Sequence, residues 1–335
     1  MSDTDIKPYT DIQLQGWISR LPEKWQPYAV LMRLDRPIGW WLLLLPGWWG
    51  IMLGANGITG MYSHDYLLMV LFLFGAIIMR GAGCIINDLW DRDLDKQVER
   101  TKNRPLASGQ ISILHAIIFL CALLYTAFII LLQTSGITIG LGVLSLILVG
   151  IYPLMKRITW WPQAFLGLTF NFGALMGWGA ATHHLGWEPL LLYAAGFFWT
   201  MGYDTIYAHQ DAADDELVGI KSTALLFGDR SKFWVKRFYI VAILLIALSS
   251  WLAGSGLISL ALLIIPAIHL MRQVSYWNLY DAENSLYIFK SNRNFGLLVL
   301  LSFALSDVKI DIHSLATKAG VTLPDIAGLL QSVGL

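Results

Sequence analysis

Nine apolar stretches, each parted from the next by a polar loop, constrain this chain more than any other feature. They run over residues 38–54, 66–86, 112–132, 137–154, 162–182, 189–207, 237–253, 257–271 and 287–305. Most approach the ~20 residues that cross a ~30 Å hydrocarbon core as a helix. Within lipid, only helices or closed barrels satisfy every backbone polar group, and the period-two alternation of a barrel is absent here. The predicted fold is all-α, a polytopic membrane bundle of about nine transmembrane helices. The ninth stretch is the weakest and spans only if Lys290 and Arg293 snorkel at one end. Composition agrees: 56% of the 335 residues are apolar and only 14% charged, against about 25% charged in soluble domains. So apolar a chain is not disordered, and a formal net charge of zero argues against a nucleic-acid partner.

Charge placement predicts an orientation. Twenty of the 23 Lys and Arg lie before the first stretch or in and beside alternate loops, while residues 55–65, 133–136, 183–188 and 254–256 contain none. Basic loops stay cytoplasmic, which puts the N-terminus inside and the C-terminal tail outside. Three regions follow. Residues 1–37 form a cytoplasmic segment without a cleavable signal pattern. In it Leu14, Trp17, Ile18, Leu21 and Trp25 fall at helical spacing, as in an interfacial helix, although Pro22 interrupts the run. Residues 38–305 form the membrane domain, and 306–335 a C-terminal extension with no assigned role. Tryptophan pairs at 40–41, 48–49 and 160–161 read as aromatic belts. Spacings such as Gly50/Gly54 and Gly173/Gly177 point to close helix packing. Cys84 and Cys121 stand alone, without the spacing of a metal or disulfide framework. Gly81-Ala-Gly83 lies in a membrane helix with no strand before it, so it is no dinucleotide fingerprint.

The acids are concentrated. Asp88, Asp91, Asp93 and Asp95 leave the second stretch, and Asp204, Asp211, Asp214 and Asp215 leave the sixth. On a continuous helix Arg80, Cys84, Asn87, Asp91 and Asp95 form one stripe; Asp204, Ala208, Asp211 and Asp215 form another. Facing carboxylate stripes repel or protonate unless neutralised. A hard divalent cation is the natural neutraliser, and Mg²⁺ retains coordination places for water and phosphate oxygens. Two acidic clusters each holding Mg²⁺ make a diphosphate clamp, with Arg100, Arg104, Lys156 and Lys221 near enough in sequence to bind phosphate directly. Arg80, inside a membrane helix, either snorkels or serves a pocket, and its alignment with Asn87 favours the pocket.

At these residues the chain resembles the UbiA superfamily of membrane prenyltransferases. Its first motif, NDxxDxxxD, is matched by Asn87-Asp88, Asp91 and Asp95; its second, YDxxYAxxDxxxD, by Tyr203-Asp204, Tyr207-Ala208, Asp211 and Asp215. The likeness extends to Arg33-Leu-Asp-Arg36-Pro-Ile-Gly and to Tyr152-Pro-Leu-Met-Lys156-Arg157, covering roughly residues 28–305. Met79-Arg-Gly-Ala-Gly-Cys84 and Gly219-Ile-Lys-Ser-Thr223 are most similar to bacterial 4-hydroxybenzoate polyprenyltransferases of ubiquinone synthesis. The resemblance implies nine helices around a central cavity, with both aspartate motifs at its cytoplasmic mouth and a lateral opening for the long isoprenoid, in a bacterial inner membrane. It implies transfer of a polyprenyl chain from polyprenyl diphosphate to the carbon ortho to the phenol of 4-hydroxybenzoate, with no obligate protein partner. Asn87, Asp91 and Asp95 would hold one Mg²⁺, and Asp211 and Asp215 the other. Arg80 would take the benzoate carboxylate. Asp204 would either orient and deprotonate the phenol or ligate metal. Another aromatic or macrocyclic acceptor fits the same motifs, and from a different class a cation-coupled transporter also carries intramembrane charge.

Overall fold

The computed structural model describes residue 12 and residues 16–98, 100–210, 212, 219 and 221–308, apart from the side chains of Pro153, Lys156 and Arg157. Every apolar stretch above is helical, and no strand occurs among the described residues. In chain order the helices are α1 (Gln26–Leu31), α2 (Ile38–Gly54), α3 (Ser63–Asp95), α4 (Ile113–Leu131), α5 (Gly136–Ile158), α6 (Pro162–Phe170) and α7 (Phe172–Thr182). There follow α8 (Trp187–Ala208), α9 (Thr223–Phe227), α10 (Ser231–Leu252), α11 (Leu257–Leu262), α12 (Ile264–Tyr276) and α13 (Ala282–Ala304). Ser112, Ser135, Ser222 and Asp281 cap α4, α5, α9 and α13, each accepting a backbone N–H of the first turn.

Five helical runs are long and apolar enough to cross a membrane: Ser63–Asp95, Ile113–Leu131, Pro162–Thr182, Thr223–Leu252 and Leu257–Tyr276. Ile38–Gly54 and Gly136–Tyr152 are shorter apolar helices. The chain is therefore an integral membrane protein, though length and apolarity alone do not reach the expected nine spans. The shortfall has a physical cause in α8 and α13. Thr200 and Tyr203 on α8 and Asn292 on α13 are buried, and Lys290, Arg293 and Asn294 on α13 are exposed, so polar content lowers the hydropathy of both helices. Leu114, Ile118, Leu144, Ile147, Leu244 and Ile264, by contrast, stand exposed on the outer surface, where lipid tails would cover them.

The loops sort into two ends, as the charge alternation predicts. At the basic end Lys221 Nζ donates to the Ile158 carbonyl (3.3 Å), Tyr280 Oη to Asp229 (2.7 Å), and His209 Nε2 meets Ser231 Oγ (2.8 Å). At the other end Ser135 Oγ donates to the Gly179 carbonyl (2.8 Å), Ser249 Oγ to that of Glu188 (2.7 Å), and the Gly256 amide to that of Ser306 (2.7 Å).

Three local expectations change. The N-terminal interfacial helix is not continuous: a 3-10 turn at Ile18–Arg20 and the short α1 are separated at Pro22, which cannot donate to a helical ladder. Ile18 is buried there, while Trp17 and Trp25 remain exposed. Stretch 162–182 breaks at Asn171, whose Nδ2 donates to the Gly167 carbonyl (2.8 Å) and Thr200 Oγ1 (2.9 Å). The pair Trp48-Trp49 is not an interfacial belt. Trp49 is fully buried, donates from Nε1 to the Gly296 carbonyl (2.8 Å), and packs on Trp199 with ring centroids 5.0 Å apart. Phe295 closes this cluster, and Trp199 Nε1 donates to Asn292 Oδ1 (2.9 Å), so both indoles of this cluster are satisfied.

Helices α2 and α7 approach backbone to backbone through the predicted glycines. The Gly47 carbonyl occupies the space a Cβ on residue 177 would need, and the Ala174 carbonyl the space of one on residue 50. Small residues permit such approach where lipid supplies no hydrophobic drive between helices. Gly177→Leu should cost about 1–3 kcal/mol through overpacking against backbone that cannot rotate away. A lowered thermal midpoint in detergent is the expected reading, and an unchanged midpoint contradicts the packing.

Candidate active site

Helices α2, α3, α4, α5, α6, α7, α8 and α13 line a cavity of about 840 Å³. Its two ends differ in chemistry. At the basic end it is lined by Arg33, Arg36, Arg80, Asn87, Asp88, Arg100, Arg104, Tyr152, Asp204, Tyr207, Gln210 and Lys290. Toward the other end the lining becomes Leu43, Leu71, Phe72, Gly75, Phe128, Leu131, Gly142, Val143 and Met176. Among the described lining residues six cations face two carboxylates, so the polar pole attracts anions.

The acids on α3 do not act as one stripe. Asn87 lines the cavity, and Asp91 lies one turn further along, partly buried. Asp95, expected as a third metal ligand, is instead engaged by Arg104 Nη1 at 3.0 and 3.1 Å and is not among the cavity-lining residues. Asp88, off the stripe, proves central. Its carboxylate accepts both contacts from Arg33 Nη2 (2.6 and 2.9 Å) and a longer one from Arg104 Nη1 (3.4 Å). Arg33, Asp88 and Asp95 are buried, giving an alternating chain Arg33–Asp88–Arg104–Asp95 that links the α1–α2 turn, α3 and the loop after α3. Arg33 holds left-handed backbone (φ 58°), unfavourable for a long side chain unless its surroundings fix it; the two-point contact with Asp88 does so.

The remaining expected residues divide. Arg80 lines the cavity with its guanidinium over the Phe170 ring (5.6 Å), and its buried Nε has no hydrogen-bond partner. Gly39 makes room for it, since a Cβ there would meet Nε at 2.5 Å. An intramembrane cation lining a cavity is suited to an anionic group of a ligand. Asp204 faces the same cavity beside Tyr203 and Tyr207, and Arg100 lines it too. Lys221 does not: its ammonium rests on the Ile158 carbonyl and over Trp160 (5.8 Å), away from the lining. Arg104 reaches the cavity but spends its guanidinium on two carboxylates, which makes it a structural tie as much as a phosphate donor. Lys156 lies on α5 with its side chain outside the described residues; Asp211 and Asp215 lie outside them altogether. No group of three or more His, Cys, Asp or Glu able to hold a metal occurs among the described residues.

Sequence reasoning missed Asp88, Arg33, Arg36, Tyr207, Gln210 and Lys290 as lining residues. Arg33 and Arg36 were visible only as part of a run, and Lys290 read as a snorkelling end. Asp88→Ala should cost about 3–5 kcal/mol, because it strands Arg33 without a partner in a buried site. Joining Arg33→Met to Asp88→Leu should cost less than Asp88→Ala, as read in denaturant unfolding. Strict additivity of the Arg33→Met and Asp88→Leu losses contradicts the pairing.

Comparison with known proteins agrees with this architecture. Residues 43–298 match the UbiA prenyltransferase family. The chain is 46% identical over 297 residues to a rat protein, "4-hydroxybenzoate polyprenyltransferase, mitochondrial", covering 88% of this chain and 78% of the relative. The human protein of that name is 45% identical over 305 residues, covering 91% and 81%. These relatives are mitochondrial, so they lend no support to the bacterial inner membrane expected above. Among solved structures, a UbiA homologue from Archaeoglobus fulgidus bound to GPP and Mg²⁺ shares the fold at 21% identity and TM-score 0.63, covering 84% of this chain and 98% of that one. An Aeropyrum pernix homologue in its apo form has 23% identity and TM-score 0.61, covering 78% and 94%. With Asn87, Asp88 and Asp204 lining one amphipathic cavity and a family match across most of its length, the chain belongs to the UbiA prenyltransferase family.

Proposed function

We propose that this protein transfers a polyprenyl chain from its diphosphate to the ring carbon ortho to the hydroxyl of 4-hydroxybenzoate, releasing pyrophosphate, as a step of ubiquinone biosynthesis. The observation that carries the reading is the polarity gradient of one cavity, cationic at the basic end and hydrocarbon beyond, with Arg80 between the two. The names of the rat and human relatives support the acceptor.

Arg36, Arg100 and Lys290 at the polar pole would gather the diphosphate, and the aliphatic lining would receive its tail. Asn87 and Asp91, an amide and a carboxylate one turn apart, offer the oxygen donors a hard cation prefers while leaving places for phosphate and water. The donor set therefore fits Mg²⁺, with Asp211 and Asp215 proposed for a second ion. When bound, Mg²⁺ supplies charge neutralisation to the departing pyrophosphate. Arg80 would hold the benzoate carboxylate through its guanidinium, which lines the cavity, fixing the ring against the allylic carbon. Asp204 would accept or orient the phenol proton, raising electron density at the ortho carbon. The allylic C–O bond breaks, the ortho carbon bonds to C1 of the prenyl group, and the ring proton leaves to restore aromaticity. Lys156 remains a proposed phosphate contact. We place the basic-loop end on the cytoplasmic side by charge alone.

Asp91→Ala should lower kcat on the order of a hundredfold or more in assays with labelled 4-hydroxybenzoate. EDTA should abolish turnover by the native protein and Mg²⁺ restore it; near-normal activity of the variant, or indifference to EDTA, counts against the clamp. Arg80→Ala should raise KM for 4-hydroxybenzoate roughly ten- to a hundredfold, the size expected for losing a charged hydrogen bond. A larger effect on KM for the prenyl diphosphate would move Arg80 to the other substrate.

A further inference from the structure

Gly39, in the first turn of α2, has no functional group of its own, yet it determines where a charge lies. The three atoms nearest to the position of a Cβ on residue 39 all belong to the Arg80 guanidinium: Nε at 2.5 Å, Cζ at 3.1 Å and Nη2 at 3.2 Å. The guanidinium therefore rests on bare α2 backbone. Its Nε is buried there, so the terminal nitrogens are the donors that remain for the cavity Arg80 lines. The Phe170 ring, its centroid 5.6 Å from Cζ, gives the cation a second support. Phe170 is the last residue of α6, and the Asn171 bonds to the Gly167 carbonyl (2.8 Å) and Thr200 Oγ1 (2.9 Å) hold that helix end in place.

Residue 39 differs from Gly50 on the same helix, where the obstruction is Ala174 backbone that cannot yield. At residue 39 the obstruction is the far end of a flexible side chain, which can swing aside. Gly39→Ala is thus compatible with the fold, and alanine is the better helix former. It would nevertheless push Nε outward by about 1 Å, to reach an ordinary contact of about 3.5 Å. We infer that Gly39, together with Phe170, is a positioning residue for the aromatic acid. The two seat the Arg80 guanidinium so that its terminal nitrogens meet the carboxylate in the orientation that fixes the ring. The inference rests on the prenyl-transfer reading above, in which Arg80 holds that carboxylate, and adds to it the residues that aim the cation.

The test compares 4-hydroxybenzoate with its neutral analogue 4-hydroxybenzamide, added as a competitor. It uses the native chain, Gly39→Ala, Phe170→Leu, Arg80→Ala, and Gly39→Ala joined to Arg80→Ala. The quantity read is Ki for the amide divided by KM for the acid, which reports the carboxylate contact and does not depend on the fraction of protein that is folded. Gly39→Ala should lower this preference roughly tenfold, in line with an ångström-scale misplacement. KM for farnesyl diphosphate should stay within about twofold of native, and the thermal midpoint should be unchanged or higher. Phe170→Leu should lower the preference about two- to fivefold, the weight of a cation–π contact. In the double variant the preference should equal that of Arg80→Ala alone. A preference untouched by Gly39→Ala, an equal rise in KM for both substrates, or a loss that adds in full to that of Arg80→Ala overturns the inference. If Arg80→Ala itself keeps the native preference, the carboxylate lies elsewhere and the reading of Arg80 fails, a separate outcome that overturns the positioning role with it.

Discussion

Charges buried at one end of a membrane bundle persist only in company of opposite sign, and the sequence of contacts Arg33–Asp88–Arg104–Asp95 supplies it. Burying an unpaired ion costs several kcal/mol, so each member depends on its neighbours. The chain joins the turn before α2, the end of α3 and the loop after α3, segments that also pack together through Leu31, Ile85, Leu106 and Ile111. With those carboxylates matched, Arg36, Arg100 and Lys290 can give the lining its net positive character. A pole of that kind at the mouth of a hydrocarbon cavity suits a ligand that is anionic at one end and greasy along its length.

The interior answers a second constraint. Lipid gives helices no hydrophobic reason to associate, so contact must come from close packing and satisfied polar groups. The glycine-lined α2–α7 interface does the first. Trp49, Trp199 and Asn292 do the second, each polar atom bonded inside an otherwise apolar cluster. At the α6–α7 break the Asn171 side-chain Nδ2 donates to the Gly167 carbonyl and to Thr200 Oγ1, tying the break to α8.

Much of this was legible in advance because hydropathy and charge are properties of segments. The apolar stretches are helices, the loops without Lys or Arg gather at one end, and Arg80 and Asn87 share the cavity as their helical spacing implied. What escaped depended on tertiary approach. Periodicity put Asp95 on a metal-binding stripe, but the loop carrying Arg104 folds back onto it. Asp88 was passed over because its partner Arg33 is 55 residues away in sequence. Lys221 looked like a phosphate ligand from its place beside the second motif, yet the nearby Ile158 carbonyl and Trp160 ring hold it outside the lining. Helix breaks at Pro22 and Asn171 likewise follow from local chemistry that a count of apolar residues does not register.

The central claim concerns coupling between bond breaking at the diphosphate and bond making at the aromatic ring. It is tested most directly by incubating the purified protein in lipid nanodiscs with Mg²⁺, a prenyl diphosphate and 4-hydroxybenzoate, then quantifying pyrophosphate and prenylated acid together. The account predicts equal amounts of the two, with the prenyl group on the ring carbon next to the hydroxyl. Pyrophosphate formed without prenylated acid, or neither product in a folded preparation, would contradict it.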